Sequence, residues 1–206
     1  MKTFKCYLRV CALCASGWGQ RDLLCDACWE ILWHQERFFR GFFVTPEFPV
    51  SAMWTWSKSS KAIECLVRSQ KFTGLTLARE RIFRRYLTYS LGPPPTQIVY
   101  VIPKNKTCDH ASEGAHVLAK YLGVEATALK IEPRAHYKSK GRRERGQAQR
   151  ITQSLSVRRS ERVWFYDDVI TTGSTARAVW AVLGKPQGFQ AVALVYRESC
   201  LMALKE

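Results

Sequence analysis

Val163-Trp164-Phe165-Tyr166-Asp167-Asp168-Val169-Ile170-Thr171-Thr172-Gly173-Ser174-Thr175 reads as a strand, a loop and the start of a helix. The first four side chains are apolar without alternation, as in a strand buried on both faces. Two carboxylates follow at once, then small and hydroxylic residues around Gly173, then a helical pattern from Ser174 to Leu183. In open parallel sheets, ligands bind at the carboxyl ends of the strands. Thr171, Thr172, Gly173, Ser174 and Thr175 can present backbone N–H groups and hydroxyls to a phosphate dianion there, and the helix adds its dipole. Gly173 lets the backbone come close to that phosphate. Asp167 and Asp168 can accept hydrogen bonds from the vicinal hydroxyls of a ribose and help hold Mg²⁺ through its waters. An ordinary strand–loop–helix with Ser174 as N-cap gives the two aspartates no purpose. A phosphotransfer site would want a Walker-type lysine, and none is visible.

The flanking sequence repeats the alternation of strand and helix. Strands are expected at Met53 to Trp56, Gln97 to Ile102, Val124 to Ile131, Arg162 to Tyr166 and Gln190 to Tyr196. Helices are expected from Ser57 as N-cap through Ile63, Leu66 and Val67, from Leu75 to Leu91, and from Ala111 to Leu122 with a stop at Gly123. The pattern predicts an α/β fold, a parallel sheet flanked by helices. Pro93-Pro94-Pro95 resets the chain before a strand.

The N-terminus has a different character. Of eight cysteines, Cys6, Cys11, Cys14, Cys25 and Cys28 lie before residue 30. Cys11-x2-Cys14 and Cys25-x2-Cys28 are separated by ten residues that include two glycines, so the two knuckles can converge as four thiolates on tetrahedral Zn²⁺. Four cysteines leave no open coordination position, so such a site is structural. Cys6 is a fifth thiol and a spare ligand at most, while Cys65, Cys108 and Cys200 read as packed or surface thiols. Residues 1–40 are expected to form this zinc module and 41–206 the main domain, with the hinge at Gly41 to Pro49. The module would present Arg9, Trp18, Arg21 and Trp29 to a partner, where Arg and aromatic side chains suit stacking on unpaired bases.

The chain of 206 residues carries 32 Lys and Arg against 17 Asp and Glu, a net charge of +15. Such a surface favours phosphates or nucleic acid as partners. No segment is long and apolar enough to span a bilayer. The charged start, Met1 to Lys5, lacks the following apolar run of a signal peptide. The expected location is therefore cytoplasmic, with a basic surface able to visit an anionic membrane.

The Val163 to Thr175 run closely resembles the signature of the type I phosphoribosyltransferases. That resemblance implies that the acidic pair binds ribose hydroxyls and that the loop binds the 5′-phosphate of phosphoribosyl pyrophosphate, with Mg²⁺. Together with the four-cysteine module, the chain resembles the ComF family of ComFC and GntX-like proteins. The family implies a role in natural transformation, the transfer of incoming single-stranded DNA across the inner membrane beside a helicase-like partner. Two alternatives stand beside it, an active phosphoribosyltransferase acting on a base or amine and a non-catalytic sensor of phosphoribosyl pyrophosphate. One departure matters. Where the family carries Arg-Gly-Phe-Asn-Gln, this chain has Ile102 to Gly114 without it. Lys104 and Lys106 are left to meet a pyrophosphate, and no catalytic residue is assigned.

Arg134, Lys138, Lys140, Arg142, Arg143, Arg145 and Arg150 are opposed only by Glu144. The resemblance puts this segment in the position of the flexible loop that closes over substrate. Arg142, Arg143 and Arg145 would cover a pyrophosphate or track a nucleic-acid backbone, with Tyr137 stacking on a base.

Overall fold

In the computed structural model, the described residues are 11–15, 23–34, 39–41, 46–56, 61–69, 76–87, 93–103, 109–131, 151, 155 and 157–197. They form a sheet of strands β1 (Phe39–Gly41), β2 (Val50–Trp56), β3 (Gln97–Pro103), β4 (Glu125–Ile131), β5 (Arg162–Ile170) and β6 (Gly188–Arg197). The helices are α1 (Asp26–His34), α2 (Lys61–Ser69), α3 (Thr76–Tyr86), α4 (His110–Leu122) and α5 (Ser174–Val182). The strand order is β1-β2-β6-β5-β3-β4. All neighbours run parallel except the edge strand β1, which pairs antiparallel with β2. The expected parallel sheet flanked by helices is present.

β6 shows why the sheet is parallel. Its residues from Phe189 to Tyr196 are all buried, in an apolar run broken only by Gln190. A strand flanked by parallel neighbours and covered on both faces needs such a run. The single polar member is matched, because Gln190 Nε2 donates to Ser51 Oγ of β2 at 2.8 Å. Two cores follow from the two faces. One joins α1, α2, α3 and α4 to the sheet through Leu32, Trp54, Ile63, Phe83, Leu118 and Tyr166. The other places α5 and Phe48 over Val163, Phe165 and Ala191.

Two differences from the sequence reading bear on the site. β5 does not stop at Tyr166. It continues through Asp167 and Asp168 to Ile170, because β6 goes on pairing with it at Asp167↔Ala193, Val169↔Val195 and Ile170↔Tyr196. The aspartates are therefore strand residues. The second difference is α1, a helix that contains Cys28 and docks on the sheet. Its Trp29 stacks on Trp33 at 5.1 Å, and Trp33 stacks on Trp54 of β2 at 5.5 Å. Trp54 Nε1 also donates to the Leu32 carbonyl at 3.2 Å. Trp29 is fully buried, so it is a packing residue and not a surface for bases. Arg9, Trp18 and Arg21 lie outside the described residues. No described helix is long and apolar enough to cross a membrane.

Candidate functional site

The sheet opens between β3 and β5. Their pairing runs only from Gln97↔Val163 to Val99↔Phe165. Beyond that row β3 stays with β4 as far as Pro103↔Ile131, and β5 stays with β6. The chain leaves β3 toward one side and β5 toward the other, which makes this the switch point of the sheet. A crevice at the carboxyl ends of strands at such a point is where open α/β sheets take their ligands. Asp167 and Asp168 stand on its β5 wall.

The two carboxylates face different surroundings, since consecutive strand residues point to opposite faces. Asp167 belongs to a small open pocket shared with Thr171, Gly173, Ser174 and Thr175. Its Oδ1 accepts from the backbone N–H of Asp168 at 2.9 Å. Burial and the neighbouring Asp168 carboxylate push Asp167 well above the usual carboxylate range. Asp168 turns to α4, where its Oδ2 lies 3.3 Å from His110 Nε2. His110 was not singled out from sequence. Nothing in the local pattern marks it, because its partner lies across the crevice and far along the chain.

The starts of α4 and α5 differ in a way that favours one of them for an anion. The first N–H groups of a helix lack intrahelical partners. In α4 the Asp109 side chain satisfies one of them by accepting from Ser112 N at 3.0 Å. In α5 the N-cap is Gly173 in the left-handed region, φ 69°, with no side-chain cap. The loop is held instead from below, by Thr172 Oγ1 donating to Ser174 Oγ at 3.2 Å and accepting from Ser174 N at 3.4 Å. Thr172 is exposed beside the pocket. Thus Asp167, Thr171, Gly173, Ser174 and Thr175 come together, while Asp168 and Thr172 stand next to them. Lys104, Lys106, Arg142, Arg143 and Arg145 lie outside the described residues, as do Cys6 and Tyr137.

Behind the crevice, α3 is tied to α4 by a buried cation. Arg79 is fully buried and forms an ion pair with Glu113, whose other oxygen accepts from Thr76 Oγ1 at 3.0 Å. α4 also lies very close to β5. At Gly114 a Cβ atom would sit 2.5 Å from the Tyr166 hydroxyl.

The Sγ atoms of Cys11, Cys14, Cys25 and Cys28 all lie within 4.8 Å of one another. Zinc–sulfur bonds of about 2.3 Å in a tetrahedron separate the sulfurs by about 3.8 Å. The Cys14–Cys25 separation is 3.8 Å. The donor set and its spacing fit a metal ion. Burial beside the other thiols pushes Cys28 far up. In Cys11 burial acts the same way, but backbone N–H groups of Cys14, Cys25 and Leu13 outweigh it and hold the thiol below its ordinary value.

No protein-family model matches the chain, and no curated protein does. Solved structures similar to it include a purine phosphoribosyltransferase from Pyrococcus horikoshii, 19% identical over 58% of this chain and 73% of the other, with a TM-score of 0.43. Adenine phosphoribosyltransferase from Saccharomyces cerevisiae is 14% identical over 88% of this chain and 94% of that one, with a TM-score of 0.39. Orotate phosphoribosyltransferase from Aeropyrum pernix is 19% identical over 62% and 64%, with a TM-score of 0.38. Likeness at this level says nothing of the substrate.

Proposed function

We propose that this chain binds a ribose 5-phosphate group at the β3–β5 crevice, carried by phosphoribosyl pyrophosphate or by a nucleic-acid 5′ end, and that it serves the uptake of single-stranded DNA. The observation that carries the reading is the opening of the sheet beside two adjacent carboxylates and an uncapped helix start. On this reading the first turn of α5, with Thr171, Thr172, Ser174 and Thr175, takes the phosphate. Asp167 and Asp168 take the ribose hydroxyls and the waters of Mg²⁺. Cys11, Cys14, Cys25 and Cys28 hold structural zinc, which folds residues 1–40 onto 41–206. The DNA role is supported by the +15 charge and by the ComF resemblance, with a helicase-like protein and the inner-membrane surface as partners.

Titration calorimetry with phosphoribosyl pyrophosphate and Mg²⁺ tests the site. Binding is expected for the native chain and not for the Asp167→Asn, Asp168→Asn double variant. Equal binding by both would remove the assignment. A salt series with a labelled single strand tests the DNA role, where contacts to Z phosphates give a log–log slope of about −0.7Z. Preference for single strands near physiological salt supports it, and equal competition by duplex counts against it. Pyrophosphate release with a panel of bases would move the reading to an active transferase.

A further inference from the structure

The amino edge of the sheet, opposite the crevice, is built from two turns that lead into β5 and β6. The first closes with the Glu161 N–H donating to the Arg158 carbonyl at 2.9 Å. The second is bound to it where the Gln187 N–H donates to the Arg159 carbonyl at 3.1 Å. Arg162 and Gly188 then open the pairing of the two strands. Arg158, Arg159, Arg162 and Lys185 are all exposed at this edge, and Glu161 is the one acidic residue of the two turns.

These cations differ from others in the fold. Arg68, Arg79, Arg81, Lys120 and Arg177 each meet a carboxylate. Among the described residues Arg158, Arg159 and Lys185 meet none, and Arg162 uses its Nε on the Pro94 carbonyl at 2.9 Å. Lys185 also stands where backbone sterics favour glycine. It follows Gly184 into the left-handed region, φ 58°, which disfavours a side chain. Its N–H donates to the Trp180 carbonyl at 2.9 Å, and its ammonium lies 5.5 Å from the Trp180 ring centroid. A charged side chain held in such a conformation points to a use for its charge. Trp180 is itself occupied. It packs on Phe48 at 5.8 Å and donates its Nε1 to the Pro186 carbonyl at 3.4 Å, so its ring is not free to sink into a lipid surface.

We infer that this amino edge is a docking surface for the phosphate backbone of a nucleic acid. It is separate from the crevice, because Asp168 lies six residues farther along β5 than Arg162, about 20 Å at the rise of a strand. A single sugar phosphate in the crevice does not reach it, whereas a polymer spans that distance. Guanidinium groups match phosphate oxygens with paired donors, and the lysine adds a point charge. With Trp180 held in packing, contact is through charge and independent of sequence. The inference rests on the DNA role proposed above and adds to it a surface remote from the crevice.

Fluorescence anisotropy of a labelled oligothymidylate, run across a salt series on the full chain, tests the surface. Each phosphate contact with a single strand contributes about 0.7 to the log–log salt slope. The Arg158→Gln, Arg159→Gln double variant is expected to be shallower than the native chain by about 1.4, and Lys185→Gly by about 0.7. Glycine suits the backbone at 185, so that variant should keep the native Tm and guards against a folding defect. Arg84→Gln removes an exposed charge at the end of α3 and should keep the native slope. Native slopes in the edge variants overturn the surface and leave the DNA role standing. An equal change in Arg84→Gln also overturns it, because net charge would then explain the effect. Edge variants that lose binding to phosphatidylglycerol vesicles and keep the oligonucleotide would assign the edge to a membrane instead. Failure of the native chain to bind the oligonucleotide brings down the DNA role and the surface together.

Discussion

Asp167 is the residue on which stability and ligand binding oppose each other. Burial first, then the Asp168 carboxylate, raises it well above the ordinary carboxyl range. A carboxyl raised in the folded state holds its proton more tightly there than in the unfolded chain. Its favourable contribution is complete below the unfolded value and is lost as the pH rises through the folded value. At neutral pH it therefore subtracts from stability. Asp167→Asn keeps an oxygen for the Asp168 N–H and should raise the Tm by a few degrees at pH 7. Melts at a series of pH values should show that gain shrinking toward pH 4, and a constant gain would contradict the cause given. A second single-residue test lies at Gly114. Alanine favours helices, but its Cβ would stand 2.5–2.7 Å from the Tyr166 ring and hydroxyl, and Tyr166 is buried. The overlap wins, and Gly114→Ala should cost about 1–3 kcal/mol in urea denaturation. The sequence made Asp167 legible because its neighbours carry a pattern. It hid Gly114, since an isolated glycine in a helix does not announce what approaches it.

The helix starts explain which elements could be read and which could not. Asp109 caps α4 and Gly123, φ 66°, ends it by donating its N–H to the Ala119 carbonyl. Gly123 was readable as a stop because left-handed backbone favours glycine. Asp109→Ala should cost about 1 kcal/mol, read as a lowered urea midpoint, and an unchanged midpoint would mean that the cap is idle. β5 and β6 were readable from their apolar runs. The extension of β5 through two aspartates was not, because their place in a strand is imposed by β6 and not by their own propensity. β1 and α1 also escaped the sequence reading. β1 is short and borrows its pairing from β2. α1 begins immediately after Cys25 inside a cysteine pattern that draws attention to metal and not to periodicity. Buried Arg79 belongs to the same class, since its ion pair with Glu113 comes from another helix.

At the scale of the molecule, the cysteine cluster and the sheet are joined through α1. The Arg81 guanidinium of α3 lies 5.2 Å from the Trp29 ring and 3.0 Å from Asp26 Oδ1, and Cys65 Sγ of α2 donates to the Ala12 carbonyl at 3.1 Å. Metal loss would therefore be felt beyond the knuckles. A strong chelator is expected to lower the Tm of the whole chain and to release metal with proton uptake by the freed thiolates. A melting profile indifferent to chelation would show that the cluster folds unaided. The sequence revealed the knuckles by spacing alone, but their docking depends on Trp29, Trp33 and Trp54 meeting across separate elements. In each neighbouring pair of those three indoles the rings are stacked within 17° of parallel, close enough for their electronic transitions to couple. The chain thus carries an optical gauge of its own assembly. Its near-ultraviolet circular dichroism should be dominated by this ladder, so the cysteine cluster, which is colourless with zinc, can be watched in light through the tryptophans it holds in place.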